Sequence, residues 1–137
     1  MDIAQRVVVI TGAGSGIGEA LAHATTAAGA AHVVVADLNG DEARRVAADV
    51  GGTAAELDVR DERALVDLVD RTEQAHGPIG LFASNAGYVT TAGLEDTNER
   101  IQAMWEVHVM AHIYAARAVL PQMIANEGGY LLNTASA

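Results

Sequence analysis

The sequence contains no cysteine and no lysine. Without cysteine the chain has neither disulfides nor thiolate metal ligands, a composition that suits a reducing compartment such as the cytoplasm. Only 8 basic residues, all arginine, stand against 18 acidic ones, and the formal net charge is −10. Because nucleic acids and anionic membrane surfaces attract basic patches, we expect neither as a partner.

Long apolar runs and a leader peptide are also missing. No run of about eighteen apolar residues occurs, and the N-terminus lacks a basic segment followed by a long apolar one. We therefore expect a protein that is not inserted in a membrane and is located in the cytoplasm. Of the 137 residues, 50% are hydrophobic, which is enough for one domain, residues 1–137, with a substantial core.

The most informative stretch is a glycine-rich turn between an apolar run and an alanine-rich helical pattern. From Thr11 to Gly18 it reads Thr-Gly-Ala-Gly-Ser-Gly-Ile-Gly. Glycines let the backbone approach a pyrophosphate closely, and a helix start offers unpaired N–H groups and a partial positive charge. The turn therefore predicts a dinucleotide-binding site that is formed by Gly12, Ser15, Gly16, Ile17 and Gly18.

The spacing of its glycines separates this turn from other phosphate-binding loops. The common G-x-G-x-x-G fingerprint fails from Gly12 and from Gly14, because Ile17 and Glu19 stand where it needs glycine. A P-loop is excluded because it requires a lysine. The turn fits T-G-x-x-x-G-x-G, and a flexible turn without a ligand is the alternative interpretation.

Apolar strand patterns alternate with helical patterns along the whole chain. We predict strands at 6–11, 32–36, 53–57, 79–83 and 130–133, and helices at 16–28, 41–50, 62–76 and about 98–118. Asp61 can cap the third of these helices, and Gly77-Pro78 closes it. This alternation predicts an α/β fold with a Rossmann-type, doubly wound parallel sheet. The orders 3-2-1-4-5 and 2-1-3-4-5 both suit five strands, and the glycine turn after strand one favours 3-2-1-4-5.

An aspartate ends the second predicted strand. Asp37 follows the turn by about twenty residues, where a ribose is expected. Its carboxylate can accept hydrogen bonds from both ribose hydroxyls and would repel a 2′-phosphate, and no arginine stands at 13–15 or 38–40. NAD is therefore predicted over NADP. The alternative is an aspartate that only caps a loop.

Polar or small residues also follow the third and fourth strands. Asp58 and Val59 follow the third strand, where the topology places an adenine, although Asp58 could equally be an ordinary loop residue. Asn85, Ala86 and Gly87 follow the fourth strand. The small Ala-Gly pair lets a ring lie against the backbone, and Asn85 can brace the adjoining loops.

Taken together, these motifs resemble the short-chain dehydrogenases/reductases, including the final Asn133-Thr134-Ala135-Ser136. The resemblance implies NAD(P) binding and hydride transfer between nicotinamide and a small alcohol or ketone substrate. It also implies that Ser136 is catalytic and polarises the substrate oxygen. The family's acid/base tyrosine and its lysine have no counterpart in the 137 residues, so the domain is expected to be incomplete after its fifth strand and to bind cofactor while catalysing poorly.

The resemblance implies a second catalytic residue in the long helix. The family commonly has a proton-relay asparagine where this chain has His108, and a histidine can also hold a water. A helix-packing histidine is the alternative. His108 and His112 are spaced i, i+4 like metal ligands, but no third ligand can be identified, so we expect no metal.

The long helix is apolar around much of its circumference, which predicts burial on most sides. We therefore expect a homo-oligomer. Two other functions stay open: a non-catalytic NAD(H)-binding regulatory module of the same fold, and a flavodoxin-like or receiver-type domain. The glycine spacing and the absence of lysine disfavour the last of these.

Overall fold

The computed structural model describes residues 2–90 and 93–135. Strands and helices alternate as the sequence predicts, with most ends within one residue of the predicted positions. The elements are β1 Val7–Thr11, α1 Gly16–Ala27, β2 His32–Asp37, α2 Gly40–Val50, β3 Thr53–Glu56, α3 Glu62–His76, β4 Ile79–Ser84, α4 Asn98–Trp105, a π-helical turn Glu106–Met110, α5 Ala111–Ala125 and β5 Tyr130–Asn133.

The five strands form one parallel sheet in the order β3-β2-β1-β4-β5. The predicted fold class and strand order are therefore confirmed. In β1, Val7 pairs with His32 of β2, and Ile10 pairs with Val35 of β2 and Ala83 of β4. Because all strands run in the same direction, their carboxyl ends lie on one edge of the sheet, where the polar residues of the sequence pattern come together.

Side chains of the central strands alternate between two buried layers. Val8 and Ile10 of β1 pack with α1 and α2, whereas Val7 and Val9 pack with α3 and α5. All five residues of β1 are buried, which is what a central strand of a doubly wound sheet requires. The core thus holds the end of β1, and with it the glycine turn, in a rigid position.

Side chains cap three of the helices at their N-termini. Asn39 accepts hydrogen bonds at the start of α2, Asp61 at the start of α3 and Thr97 at the start of α4. The cap at Asp61 and the end of α3 before Gly77 agree with the sequence prediction. These caps satisfy backbone N–H groups that a helix leaves without an internal partner.

The last helical segment runs further than predicted. The sequence pattern placed its end near residue 118, but α5 continues through Pro121 to Ala125. A proline inside a helix removes one hydrogen bond. Packing overrides this loss, because the buried stripe of Ala115, Val119 and Met123 continues on both sides of the proline.

The helix surface beyond that stripe is open. The segments α4 and the π-helical turn contain no buried residue, and Trp105 and Ile124 are exposed. Within the described residues, no helix is long and apolar enough to cross a membrane. The oligomer that the sequence pattern suggested stays a prediction.

Candidate functional site

The glycine turn joins the buried end of β1 to the start of α1 and packs tightly on both sides. A Cβ on Gly18 would overlap the carbonyl oxygen of Gly12, and a Cβ on Gly12 would lie 2.7 Å from Cα of Ala86. Gly12 also has a φ of +65°, which side-chain-bearing residues rarely adopt. Only glycine allows α1, the turn and the end of β4 to approach this closely.

The outer side of the same turn is open. No atom of residues 2–90 and 93–135 lies within 4 Å of a Cβ built on Gly16, and Ser15 and Ile17 are exposed. Ser15 makes no side-chain capping bond at the start of α1, in contrast to the caps of α2, α3 and α4. The first turn of α1 therefore offers backbone donors to an anion, and this cradle fits a phosphate group.

A cleft along the carboxyl edge of the sheet consists of two adjoining cavities. Their volumes are about 450 and 370 Å³, and both have Gly12, Ser15, Ala86, Gly87 and Tyr88 in their walls. The larger cavity is also lined by Asp37, Asp58 and Val59, and the smaller one by Gly16, Ile17, Asn85 and His108.

The structure thus brings the predicted site residues together, with two exceptions. Gly18 lies buried behind the turn, packed against the carbonyl of Gly12, and lines neither cavity. Ser136 lies outside the described residues. The two cavities adjoin along the glycine turn, because Gly12 and Ser15 line both of them.

Asp37 is oriented by the backbone on both sides. Its Oδ2 accepts a hydrogen bond from the N–H of Gly14 at 2.9 Å, and its Oδ1 accepts one from the N–H of Asn39, also at 2.9 Å. The side chain is half-buried and forms part of the wall of the larger cavity. The sequence predicted the place of this carboxylate but not the two backbone donors that hold it.

A neighbouring arginine holds Asp58 in the same cavity. The guanidinium of Arg60 binds both carboxylate oxygens, with Nε 3.0 Å from Oδ1 and 2.9 Å from Oδ2. These bonds hold the pKa of Asp58 below its usual range. The sequence did not lead us to predict Arg60 as a partner of Asp58. The signal was available, because an aspartate side chain often bonds to the backbone two residues further on, as Asp58 does here.

Asn85 links three strand ends. Its Nδ2 donates to the carbonyls of Thr11 and Gly12 at 3.2 and 3.4 Å, and the hydroxyl of Thr134 donates to its Oδ1 at 2.8 Å. The Thr11 hydroxyl in turn accepts from the N–H groups of Asn85 and Ala86. The glycine turn is therefore fastened to the ends of β4 and β5.

His108 lies in the π-helical turn and faces the smaller cavity. Its Nε2 donates to the carbonyl of Tyr88 at 3.0 Å, which leaves Nδ1 as the acceptor of the neutral ring. The ring also packs on Gly87, where an added Cβ would lie 3.0 Å from Cε1 of His108. Helices of this π type often occur at functional positions.

His112 has a different partner from His108. Its Nδ1 lies 2.7 Å from the hydroxyl of Ser84, and burial, together with His108, lowers the pKa of His112. Across residues 2–90 and 93–135, no group of three histidine, cysteine or acidic side chains has the arrangement of a metal site.

Comparison with known proteins gives the same family for sequence and fold. The sequence profile described as short chain dehydrogenase matches residues 6–137. The chain is 35% identical to 1-deoxy-11-beta-hydroxypentalenate dehydrogenase of Streptomyces exfoliatus, covering 99% of this chain and 52% of that protein. It is 31% identical to human epidermal retinol dehydrogenase 2, covering 99% of this chain and 46% of that protein.

Solved structures share the fold over nearly the whole chain. A 7α-hydroxysteroid dehydrogenase in complex with NADH and 7-oxo glycochenodeoxycholic acid superimposes with a TM-score of 0.91 and 30% identity, covering 98% of this chain and 54% of the other. A hydroxysteroid dehydrogenase from Escherichia coli superimposes with a TM-score of 0.90 and 29% identity, covering 96% of this chain and 55% of the other. The chain thus spans about half the length of these relatives. On sequence and on structure, it belongs to the short-chain dehydrogenase family.

Proposed function

We propose that the cleft binds NAD and that the chain forms the cofactor-binding part of an NAD-dependent oxidoreductase, with residues 1–137 as one NAD-binding domain. The observation that carries this proposal is the carboxylate of Asp37 in the wall of the larger cavity, beside the glycine turn. Family membership and the NADH bound to one solved relative support a nicotinamide cofactor.

Each part of the cleft has a role in this proposal. The pyrophosphate is held by backbone N–H groups at the start of α1, with Gly12, Ser15, Gly16 and Ile17 around it, while Gly18 lets α1 pack against the turn. Asp37 accepts hydrogen bonds from the ribose hydroxyls. The adenine lies against Asp58 and Val59, and the nicotinamide half lies against Asn85, Ala86 and Gly87.

A nicotinamide bound here would supply hydride transfer between its ring and the carbon of a small alcohol or ketone. His108, with Nε2 on the carbonyl of Tyr88, keeps Nδ1 as an acceptor that holds a water or a substrate proton. Ser136 is proposed to polarise the substrate oxygen. Because Ala86 and Gly87 have little or no side chain, they would leave room for the ring to lie against the backbone.

Titration of the 137-residue chain with NAD and with NADP tests the proposal. We expect NAD to bind at least about tenfold more tightly, because a 2′-phosphate would meet the charge of Asp37. Asp37→Ser should weaken NAD binding about tenfold or more, since hydrogen bonds to a charged acceptor contribute about 1.5–3 kcal/mol each.

Asp41→Ser is the matched control for this titration. Asp41 lies nearby on α2, but its side chain is 91% exposed and pairs with Arg44 outside the cleft. The Asp41→Ser substitution should leave the affinity for NAD unchanged. Tighter binding of NADP, or an equal response to both substitutions, would overturn the assignment of NAD, and no binding of either dinucleotide would overturn the function.

A second candidate function is an NAD(H)-binding regulatory module without catalysis. The glycine turn and Asp37 would hold the dinucleotide in the same way in either function. The two functions differ in turnover. NAD reduction by the chain with a panel of small alcohols would support the enzyme and overturn the module.

We also infer that the chain associates with itself and acts in the cytoplasm. The inference of self-association is supported by exposed apolar side chains on the α4 and α5 surface, among them Ile101, Trp105 and Ile124, which are 49%, 53% and 75% exposed. Sedimentation over a range of concentrations tests it, and a monomer at all concentrations would overturn it.

A further inference from the structure

Arg45 on α2 reaches the glycine turn from outside the cleft. Its Nη2 donates to the carbonyl oxygen of Gly14 at 3.1 Å. Its Nη1 lies 2.8 Å from Oε1 of Glu19 on α1, and its Nε lies 2.8 Å from Oε2 of Glu42. Asp49 lies further away, with Oδ2 3.6 Å from Nη1. A single guanidinium therefore connects α2, α1 and the turn.

The peptide groups of Gly14 are held at both ends. Gly14 is buried, and its N–H donates to Oδ2 of Asp37 at 2.9 Å while its carbonyl accepts from Arg45. Buried backbone groups need such partners, because an unpaired one loses its hydration without compensation. Gly14 thus connects the carboxylate of Asp37, which we propose binds the ribose, to the guanidinium of Arg45.

The surroundings of Gly14 leave little freedom for another arrangement. A Cβ on Gly14 would lie 3.0 Å from Oδ2 of Asp37 and 2.9 Å from Cβ of Glu42. The hydrogen bonds that Arg45 donates to Glu19 and Glu42 raise its pKa, which keeps the guanidinium charged. The carboxylates of Glu19, Glu42 and Asp49 surround this guanidinium and offset its positive charge. The charge therefore does not face the cleft.

We propose that Arg45 is a positioning residue for cofactor binding: it fixes the Gly14 peptide and, through it, the carboxylate of Asp37. This inference rests on the proposed function, since it concerns the same NAD site. Arg45 lines neither cavity of the cleft and acts without touching the ligand. A preorganised turn binds more tightly because less conformational entropy is lost on binding.

The experiment compares Arg45→Met with Arg44→Met in the 137-residue chain. Arg44 is the neighbouring arginine on α2, and it pairs with Asp41 and Glu56 without contacting the turn. Arg45→Met should raise the Kd for NAD about five- to twentyfold, as expected for loss of a charged donor to a buried carbonyl. Arg44→Met should change it less than about twofold.

A double-mutant cycle with Asp37→Ser separates positioning from a general loss of stability. Because both residues act through Gly14, the effect of Arg45→Met should shrink to about twofold or less in the Asp37→Ser background. Equal effects in both backgrounds would overturn the proposal, as would an unchanged Kd in Arg45→Met. A loss of NADP affinity that exceeds the loss of NAD affinity would show direct phosphate contact and would also overturn it.

Hydrogen exchange keeps the proposal testable if Arg45→Met unfolds. In the milder Arg45→Lys, amides of residues 14–18 should exchange faster than in wild type, and those of β1 should not. Unchanged exchange at 14–18 would contradict the proposal. If the wild-type chain binds neither dinucleotide, the proposed function fails; if it binds NAD but Arg45→Met has no effect, only this inference fails.

Discussion

The hydroxyl of Thr134 donates a 2.8 Å hydrogen bond to Oδ1 of Asn85. This bond links the carboxyl end of β5 to the carboxyl end of β4. The amide of the same asparagine donates to two carbonyls of the β1 end. The side chain of Asn85 therefore accepts a hydrogen bond from the end of β5 and donates hydrogen bonds to the end of β1. An asparagine is suited to this place because it carries both kinds of group.

Asn85→Asp should destabilise the chain. A carboxylate has no N–H group for the carbonyls of Thr11 and Gly12, so oxygen would face oxygen at about the present 3.2 and 3.4 Å. We expect the free energy of unfolding to fall by about 1–3 kcal/mol, measured by urea denaturation. Asn98→Asp, at the exposed start of α4, is the control and should change it by less than about 0.5 kcal/mol.

Gly18→Ala should be more harmful than Gly16→Ala. The added methyl group on Gly18 would overlap the carbonyl of Gly12, whereas the space around Gly16 is open. We expect a loss of about 3 kcal/mol at Gly18. At Gly16 only the φ of +56° opposes alanine, at about 1–2 kcal/mol. Equal losses in chemical denaturation would contradict the close packing of α1 on the turn.

Val119→Ala should destabilise the fold while Ile124→Ala does not. Val119 is fully buried between α5 and the sheet, and Ile124 is 75% exposed on the same helix. Removing the two buried methyl groups should lower the free energy of unfolding by about 2 kcal/mol. At a concentration at which the chain is a monomer, the exposed site should change it by less than about 0.5 kcal/mol. A large loss at Ile124 in the monomer would contradict the exposure of its side chain, whereas a loss that appears only at higher concentration would support self-association through this face.

Stability should decrease as the pH falls from about 6.5 towards 5. The rings of His32 and His76 are stacked with centroids 3.7 Å apart, and His32 Nε2 lies 2.8 Å from the Thr53 hydroxyl. Burial, together with His76, lowers the pKa of His32. Below the unfolded pKa of about 6.5 the unfolded chain therefore binds more protons than the folded one, and folding is opposed.

His76→Gln tests this pH dependence through urea denaturation at pH 7 and pH 5. Without the second ring, the difference in stability between the two pH values should become smaller. It should not vanish, because the pKa of His112 is lowered in the same direction. His23→Gln, at an exposed position of α1, should keep the wild-type difference. An unchanged difference in His76→Gln would contradict the role of the stack.

Local sequence patterns were sufficient to predict much of the fold. Alternating apolar and helical patterns predicted the elements, and the position of the glycine turn after strand one favoured the observed strand order. Asp61 as a helix cap and Gly77 after α3 were predictable because these are short-range interactions. The end of α5 was not, because the packing of Val119 and Met123 outweighs the local effect of Pro121.

The sequence by itself determined the fold class and which residues meet at the carboxyl edge of the sheet, because strand periodicity and parallel topology together dictate where strand ends lie. Only the tertiary structure decided which atoms hold them there. Arg45 is 31 residues from Gly14, and His112 is 28 residues from Ser84. Side-chain contacts over such distances depend on how helices are placed on the sheet, and no local pattern specifies that placement.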